Sequence, residues 1–575
     1  VSGARRLPPG GFGFYCRGMR RCLSLLLALF LVLPAPALAA DAVVSAADPR
    51  AAAAGQQILR EGGNAADAAM AMMLALTVVE PQSSGIGGGG FFVYHDAATD
   101  QVATVDGREK APAAATPERF LNPDGTPMSF RDAVAGGLSV GVPGNIRLME
   151  AVHAKWGKLP WAKLFEPAIR LAEGGFAVNR TLNGRIAAMA GLWKNFPEIA
   201  ALYMPGGTAP PVGTTLRNPA LGTLLRAVAA GGADAFYTGA NARALTDAVA
   251  NAPRHPSALT ADDLAAYRAV ERPPVCTTYR LYRICGMGPP SSGATTVFQI
   301  LGMIERFDMK ALGKDSPAAW HLIGEAMLLA YADRDAYLGD SDFVAVPVAG
   351  LLDPAYVKTR SALVAPDRSL GRYEAGTPPG AQPRTPATPG EDGGTTHFVA
   401  VDAAGNVATM TSTVEGAFGS QLVANGMVLN NELTDFSFAP EKDGAPVANR
   451  VEAGKRPLSS MAPTIVYDPA GKPVFAIGAA GGKTIIMQVL KGLVARIDWG
   501  LDAQQAVALP NLYFSGTALV VEAGSPVEAM TPALKALGHA VIVRPAWGKA
   551  NAAGLTAAGW AGGADPRSEG VALNP

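Results

Sequence analysis

The sequence predicts an α+β fold, a four-layer αββα sandwich in which helices cover two stacked sheets. Three observations lead there. Ala-rich segments with helical periodicity dominate the earlier part of the chain, short strands bounded by Gly, Pro and Asp dominate the later part, and no internal repeat separates them. A helix-rich part that feeds strands into a β-rich part fits layers around a shared core better than two separate domains.

Residues 1–40 read as an upstream extension followed by a secretion signal. Met19-Arg20-Arg21 is a positive n-region, Leu23 to Leu33 an apolar run too short to span a bilayer, and Ala37-Leu38-Ala39 a small-residue cleavage site. Five basic residues and no acids leave with this leader, so 48 − 5 = 43 basic side chains face 48 acidic ones in the mature chain. That balance argues against a nucleic-acid partner. No later segment reads as a membrane span, and the expected location is periplasmic or secreted.

Next come two expected helices, Ala51–Arg60, ended by Glu61-Gly62-Gly63-Asn64, and Ala65 to about Val79. Glycines 85, 87 and 90 then match G-x-G-x-x-G. A dinucleotide-binding turn follows a strand and opens a helix, whereas here a helix precedes and a strand follows. The glycines are therefore expected to permit close backbone approach to a ligand or to another segment. Helical patterns dominate 140–275, with turns at Ser139–Gly144 and Thr260–Leu264, and return over Ser316–Tyr337. A last helix is expected near Thr484–Ile497, among short strands.

Cys16 and Cys22 leave with the leader, which leaves Cys276 and Cys285 around an alternating stretch. Folded back as a hairpin, that stretch joins them in a disulfide; as one extended strand it holds them apart. The bridge is the expectation for an oxidising compartment. The six histidines are scattered without metal-ligand spacing, so neither a metal nor another cofactor is expected.

The most informative stretch is Thr395-Thr396-His397-Phe398. Upstream, Glu374 to Gly394 carries Pro at 378, 379, 383, 386 and 389, which forbids regular structure and makes a flexible tether. Downstream, His397–Val401 and Val407–Thr413 read as strands around a turn at Asp402–Asn406. A Thr hydroxyl needs a base, and no His–Asp pair is evident to supply one. Cleavage between Gly394 and Thr395 would free an α-amino group, with a pKa of about 7.7–8, beside its own hydroxyl. Thr395 then becomes nucleophile and base together.

Four more clusters accompany it: Asp106–Pro112, Asn430–Phe436, Lys455–Met461 and Gly478–Gly482. With Thr395-Thr396-His397, and with Gly62–Asp67, Pro289–Gly293, Tyr331–Arg334 and Gly562–Arg567, the chain from Asp41 to its end resembles the γ-glutamyltransferases, which are N-terminal-nucleophile hydrolases. The resemblance implies a large subunit (41–394) and a small subunit (395–575) that stay together as a heterodimer. It makes Thr395 both self-processing residue and nucleophile, with Thr413 and Glu415 orienting the nucleophile and the substrate amine. Arg108, Ser459 and Ser460 fall at positions that hold the substrate α-carboxylate, Glu432 and Asp435 at those holding the α-ammonium. Gly481 and Gly482 fall at the oxyanion hole.

A zwitterionic γ-glutamyl head needs one cation and at least one anion, and that residue set supplies both. The implied substrates are glutathione or related γ-glutamyl compounds, with water, amino acids or peptides as acceptors. Glu415 stands where many relatives carry Asn, and Gly394 where some carry a larger residue. The segment between Asp435 and Arg456, which can form a lid in the family, has no Tyr and only Phe436 and Phe438 as aromatics, so a weak or absent aromatic lid is expected. The rival expectations are a cephalosporin (glutaryl) acylase of the same architecture and an unprocessed secreted binding protein.

Overall fold

The protein is described by a computed structural model covering residues 1, 3, 4, 10, 41–383, 394–515 and 518–575, with the side chain of residue 515 excepted. The apolar run and cleavage site expected before Asp41 lie outside the described residues, as does the tether from 384 to 393.

Strands of the two large sheets are β1 (Val43–Ala46), β2 (Gly89–Asp96), β3 (Gln101–Gly107), β4 (Val270–Arg272), β5 (Val275–Tyr279), β6 (Tyr282–Gly286), β7 (Gly394–Val401), β8 (Val407–Glu415), β9 (Thr464–Tyr467), β10 (Pro473–Ala479), β11 (Ala550–Thr556), β12 (Gly559–Ala564) and β13 (Val571–Leu573). The first sheet runs β13-β1-β7-β8-β2-β3-β4 and the second β12-β11-β10-β9-β6-β5, each antiparallel throughout. Both sheets combine strands from before and after residue 394. That interleaving is why the halves share one core.

Alternation along the strands builds the layers. Phe92, Tyr94, Phe398, Ala400, Ala408 and Met410 face helices α1 (Pro49–Arg60) and α2 (Ala65–Val79) in one apolar cluster. Phe91, Val93, Val399, Val401 and Val407 face the opposite way. They join a second cluster with Ile465, Phe475 and Ile477 of the second sheet and with helices α3 (Gly293–Ile304), α4 (Pro317–Tyr337) and α5 (Thr484–Ile497). The result is helix, sheet, sheet, helix. This is the expected αββα sandwich.

Helix α2 is apolar all round and buried along its whole length, as such a helix has to be. Asn64 and Asp67 close a capping box at its start, and the turn residue Asp402 accepts a further bond from the Ala65 amide at 2.9 Å. The helix is thereby tied to the β7–β8 turn. Its far end delivers Glu80 to the first residues of β7.

Two readings need correction. Thr260–Leu264 is no turn: Thr260 caps a short helix, Ala261–Ala266, in a capping box with Asp263. Three short helices, Ala503–Ala508, Pro526–Ala529 and Thr531–Ala536, also punctuate the C-terminal strands; each is too short to show a helical period. The described tether residues, 374–383, form no helix or strand.

Cys276 and Cys285 face each other across the β5–β6 hairpin at the edge of the second sheet and are joined, Cα to Cα 4.1 Å. The hairpin alternative, not the single strand, is realised. Closing so small a loop stabilises by about 2–3 kcal/mol on the chain-entropy model. Cys276→Ser should lower the melting temperature without disturbing the central strands; an unchanged melting temperature in non-reducing buffer contradicts this.

Candidate active site

Thr395 is the second residue of β7, directly opposite Thr413 of β8. Their hydroxyl oxygens lie 3.2 Å apart, and Thr413 Oγ1 also donates to the Gly394 carbonyl at 3.0 Å while accepting from the Glu415 amide at 2.8 Å. The chain is continuous through Gly394–Thr395, so the Thr413 hydroxyl polarises the carbonyl of that very bond. Gly394 has no room for a side chain: a Cβ there would lie 2.5 Å from the Glu415 carbonyl oxygen.

The hairpin register is held from several sides. A Cβ on Gly88 would sit 2.0 Å from the Thr413 carbonyl oxygen, so the glycine loop serves close approach to β8, one of the two roles expected of it. Lys549 donates to the Thr395 carbonyl at 3.1 Å, to Glu80 at 2.7 Å and to Ser83 at 3.1 Å, and the Thr396 hydroxyl donates to Glu80 at 3.0 Å. His397 lies on the Thr395 face, two residues along, but its nitrogens meet the Thr411 and Thr409 hydroxyls at 2.9 and 3.1 Å. Burial pushes its pKa down to about 3, so the ring stays neutral and occupied. It is not the base.

Facing Thr395 is a sealed charge cluster. Arg108 is 1% exposed, and Glu432, Asp435 and Glu109 surround it. Its Nη1 pairs with Glu432 Oε1, its Nη2 with Asp435 Oδ2 at 2.5 Å, and Glu109 approaches Nη1 at 3.9 Å. The carbonyls of Pro457 and Leu458 accept from Nε and Nη2 at 3.2 and 2.9 Å, which aims the guanidinium into the pocket. Behind it, Asp106 accepts from the Arg108 amide at 2.8 Å and pairs with Arg272 and Arg456 at 2.7 and 3.1 Å.

Burial pushes the Glu109 carboxyl up to about 7 even beside Arg108, and burial with Glu109 alongside lifts Glu432 well above the usual carboxylate range against the pull of Arg108. Burial thus favours the neutral form of both carboxyls.

Glu415 is buried with φ +73°, a conformation a non-glycine residue holds only when its surroundings impose it. A register shift between Thr413 and Glu415 puts it there, and Asn431 donates to its Oε2 and accepts from the Gly416 amide at 2.8 Å. Ser459 and Ser460 follow the carbonyls that hold Arg108. The Ser292 amide and hydroxyl both donate to the Ser459 carbonyl at 2.7 Å, while Arg334 reaches Ser460 Oγ at 2.8 Å and Ser292 Oγ at 2.9 Å. Gly481 and Gly482, with φ of +127° and +56°, lead into α5.

Arg108, Thr395, Thr413, Glu415, Glu432, Asp435, Ser459, Ser460 and Gly482 line one cavity, together with Met461 and Ile485; Gly481 stands just behind. With Arg108 paired to its acids, the space left for water centres is about 20 Å³, room for about one molecule. No residue of 436–455 lines it: Phe436 is buried, and Phe438 stacks on Phe120 at 4.5 Å. Sequence reading missed Glu109, Arg334, Glu80 and Lys549. Glu109 and Arg334 stand within motifs already singled out, whereas Lys549 has no signal in its neighbourhood. The histidines are also less scattered than expected: His321 and His539 meet, with Glu325 beside them. No helix among the described residues is long and apolar enough to cross a membrane.

An αββα sandwich whose central hairpin begins at the candidate nucleophile defines the class of N-terminal-nucleophile hydrolases. Residues 51–574 match the family model described as gamma-glutamyltranspeptidase, and the chain belongs to that family. It is 37% identical over 461 residues to the glutathione hydrolase proenzyme of Bacillus subtilis (strain 168), covering 78% of this chain and 76% of that one. To the acylase ACY 1 proenzyme of Pseudomonas sp. (strain SE83) it is 37% identical over 77% of this chain and 76% of the relative. The solved structure of cephalosporin acylase from Bacillus halodurans superposes with TM-score 0.82 at 28% identity, covering 94% of this chain and 98% of that one.

A buried carboxyl whose folded pKa lies above its ordinary value adds stability that is complete below about 4.5 and is lost as pH rises through about 7. Glu109→Gln should therefore lose several degrees less melting temperature than wild type between pH 5 and pH 8. Parallel melting curves across that range contradict a proton on Glu109.

Proposed function

We propose that this chain is a γ-glutamyltransferase and glutathione hydrolase that matures by cutting itself between Gly394 and Thr395. In the precursor the Thr395 hydroxyl attacks the Gly394 carbonyl, the C–N bond breaks as the Thr395 nitrogen takes up the proton, and water hydrolyses the resulting ester. Residues 41–394 and 395–575 then remain together as large and small subunits, as interleaved sheets demand. The freed Thr395 amine takes the proton of its own hydroxyl, and Oγ1 attacks the γ-carbonyl of the donor. Amides of Gly481 and Gly482 face the oxyanion, and the leaving amine departs with the proton. The γ-glutamyl ester passes to water or to an amino acid or peptide. The secretion signal read in the sequence before Asp41 supports a periplasmic or secreted location.

The charge layout around Arg108 carries the substrate assignment. The free pocket satisfies its cation with its own acids. A γ-glutamyl head brings both signs, so its carboxylate takes over Arg108 while its ammonium takes over Glu432 and Asp435, and every buried charge keeps a partner. A glutaryl group brings only the carboxylate and leaves the acids without their counter-ion, which costs several kcal/mol. The likeness to acylases keeps glutaryl amides as the second reading. A γ-glutamyl anilide should be turned over at least 10²-fold faster than the glutaryl anilide; the reverse order assigns the acylase.

Self-cleavage has its own readouts. Denaturing electrophoresis should show two fragments, the smaller beginning Thr-Thr-His-Phe, and Thr395→Ala should give one inactive chain. Thr413→Val removes the hydroxyl that polarises the Gly394 carbonyl and should slow maturation by about 10²-fold. An active enzyme that remains a single chain overturns the proposal.

A further inference from the structure

On the outer helical layer, distinct from the Thr395 pocket, two imidazoles and a carboxylate converge. His321 and Glu325 stand four residues apart on one face of α4. His539 comes from the small-subunit side, just before the strand Ala540–Arg544. His321 Nδ1 lies 2.6 Å from His539 Nε2, and that same nitrogen lies 3.7 Å from Glu325 Oε1. All three residues are buried, and the three ligand-type atoms fall within 4.8 Å of one another.

We propose that His321, Glu325 and His539 bind a divalent transition-metal cation, with Zn2+ the best fit, through His321 Nδ1, His539 Nε2 and Glu325 Oε1. Two neutral imidazoles and one carboxylate are a recognised ligand set for such ions. The outer contacts of His321 and Glu325 are those of ligands held in place. His321 donates its other ring proton from Nε2 to the Ala365 carbonyl at 2.7 Å, which leaves the Nδ1 lone pair aimed at the site. Glu325 Oε2 accepts from the Leu370 amide at 2.9 Å, and Tyr373 donates to Oε1. The remaining nitrogen of His539, Nδ1, is buried without a hydrogen-bond partner, so the ring engages the protein's polar groups only through Nε2.

Zn–N and Zn–O bonds of about 2.0–2.2 Å at tetrahedral angles put ligand atoms about 3.4 Å apart. The two imidazole nitrogens have to open from 2.6 Å, and the carboxylate has to close on His539 from 3.7 Å and on His321 from within 4.8 Å, so the largest change is about 1.4 Å. Water completes the shell. Ala365, Leu370 and Tyr373 belong to the stretch that leads into the tether, so the ion fastens the end of the large subunit to the small one. This fastening role rests on the self-cleavage reading. Binding of the ion does not.

The test strips the purified protein with a chelator, then titrates it with Zn2+ by calorimetry, in the wild type and in uncleaved Thr395→Ala alike. One equivalent should bind to each. At a free concentration one hundred times Kd it should raise the melting temperature by about 3 °C. His539→Asn and Glu325→Gln should weaken binding at least 10²-fold. Absence of saturable binding in the wild type overturns the proposal, as does binding that persists in both folded variants. X-ray absorption of the wild-type zinc form decides even if the variants do not fold: two imidazoles support the site, and fewer overturn it. Zinc bound by a wild type that never cleaves leaves the site standing while the self-cleavage reading falls.

Discussion

The register of one hairpin governs this molecule. Side chains alternate along a strand, so a slip of a single residue between β7 and β8 would turn Thr395 from the pocket to the opposite face and separate it from Thr413. The fold holds that register at both ends. Asp402 ties the turn to the start of α2, and at the other end the glycine loop lies so close against β8 that its backbone excludes any side chain. Flanking strands β1 and β2 close the edges of the hairpin. A nucleophile at the start of a central strand cannot be displaced without moving the sheet.

Electrostatics then decide what the pocket receives. Buried charge is costly unless paired, and the pocket meets that cost internally by setting Arg108 against Glu432 and Asp435. An excess of acid remains, with Glu109 and Glu415 also buried nearby, and burial pushes the Glu109 and Glu432 carboxyls toward their neutral forms. On the proposed reading, such a site repels a simple dianion and accepts a zwitterion by exchanging partners. The small empty space follows from the same pairing.

Much of this was legible in the sequence because its signals are local. The hairpin, the buried helix 65–79, the glycine loop and the helix 484–497 each declare themselves by periodicity or punctuation, and the structure sets the ends of those two helices at the same residues. Most site residues fall within motifs. What stayed hidden was long-range. Lys549 reaches the Thr395 carbonyl across 154 positions, and His539 meets His321 across 218. Only the spacing of His321 and Glu325 on a helix hinted at a cluster, and a two-residue signal is too common to act on. Short capped helices were lost for the opposite reason, since six residues do not complete two turns.

Gly394 illustrates how maturation and catalysis can share one geometry. Its missing side chain lets the chain pass against the Glu415 and Gly416 backbone, and its carbonyl receives the Thr413 hydroxyl. On the proposed reading, cutting the bond releases this residue with the tether and leaves behind a donor already aimed beside the nucleophile. Thr413 is then free to hold Thr395 Oγ1 alone, at the distance it already keeps. The new amine stays where β7 begins, because Lys549 and the β8 ladder hold the strand from the Thr395 carbonyl onward. The precursor thus needs no rearrangement of the sheet to become the enzyme. Only the segment that blocks the amine has to leave.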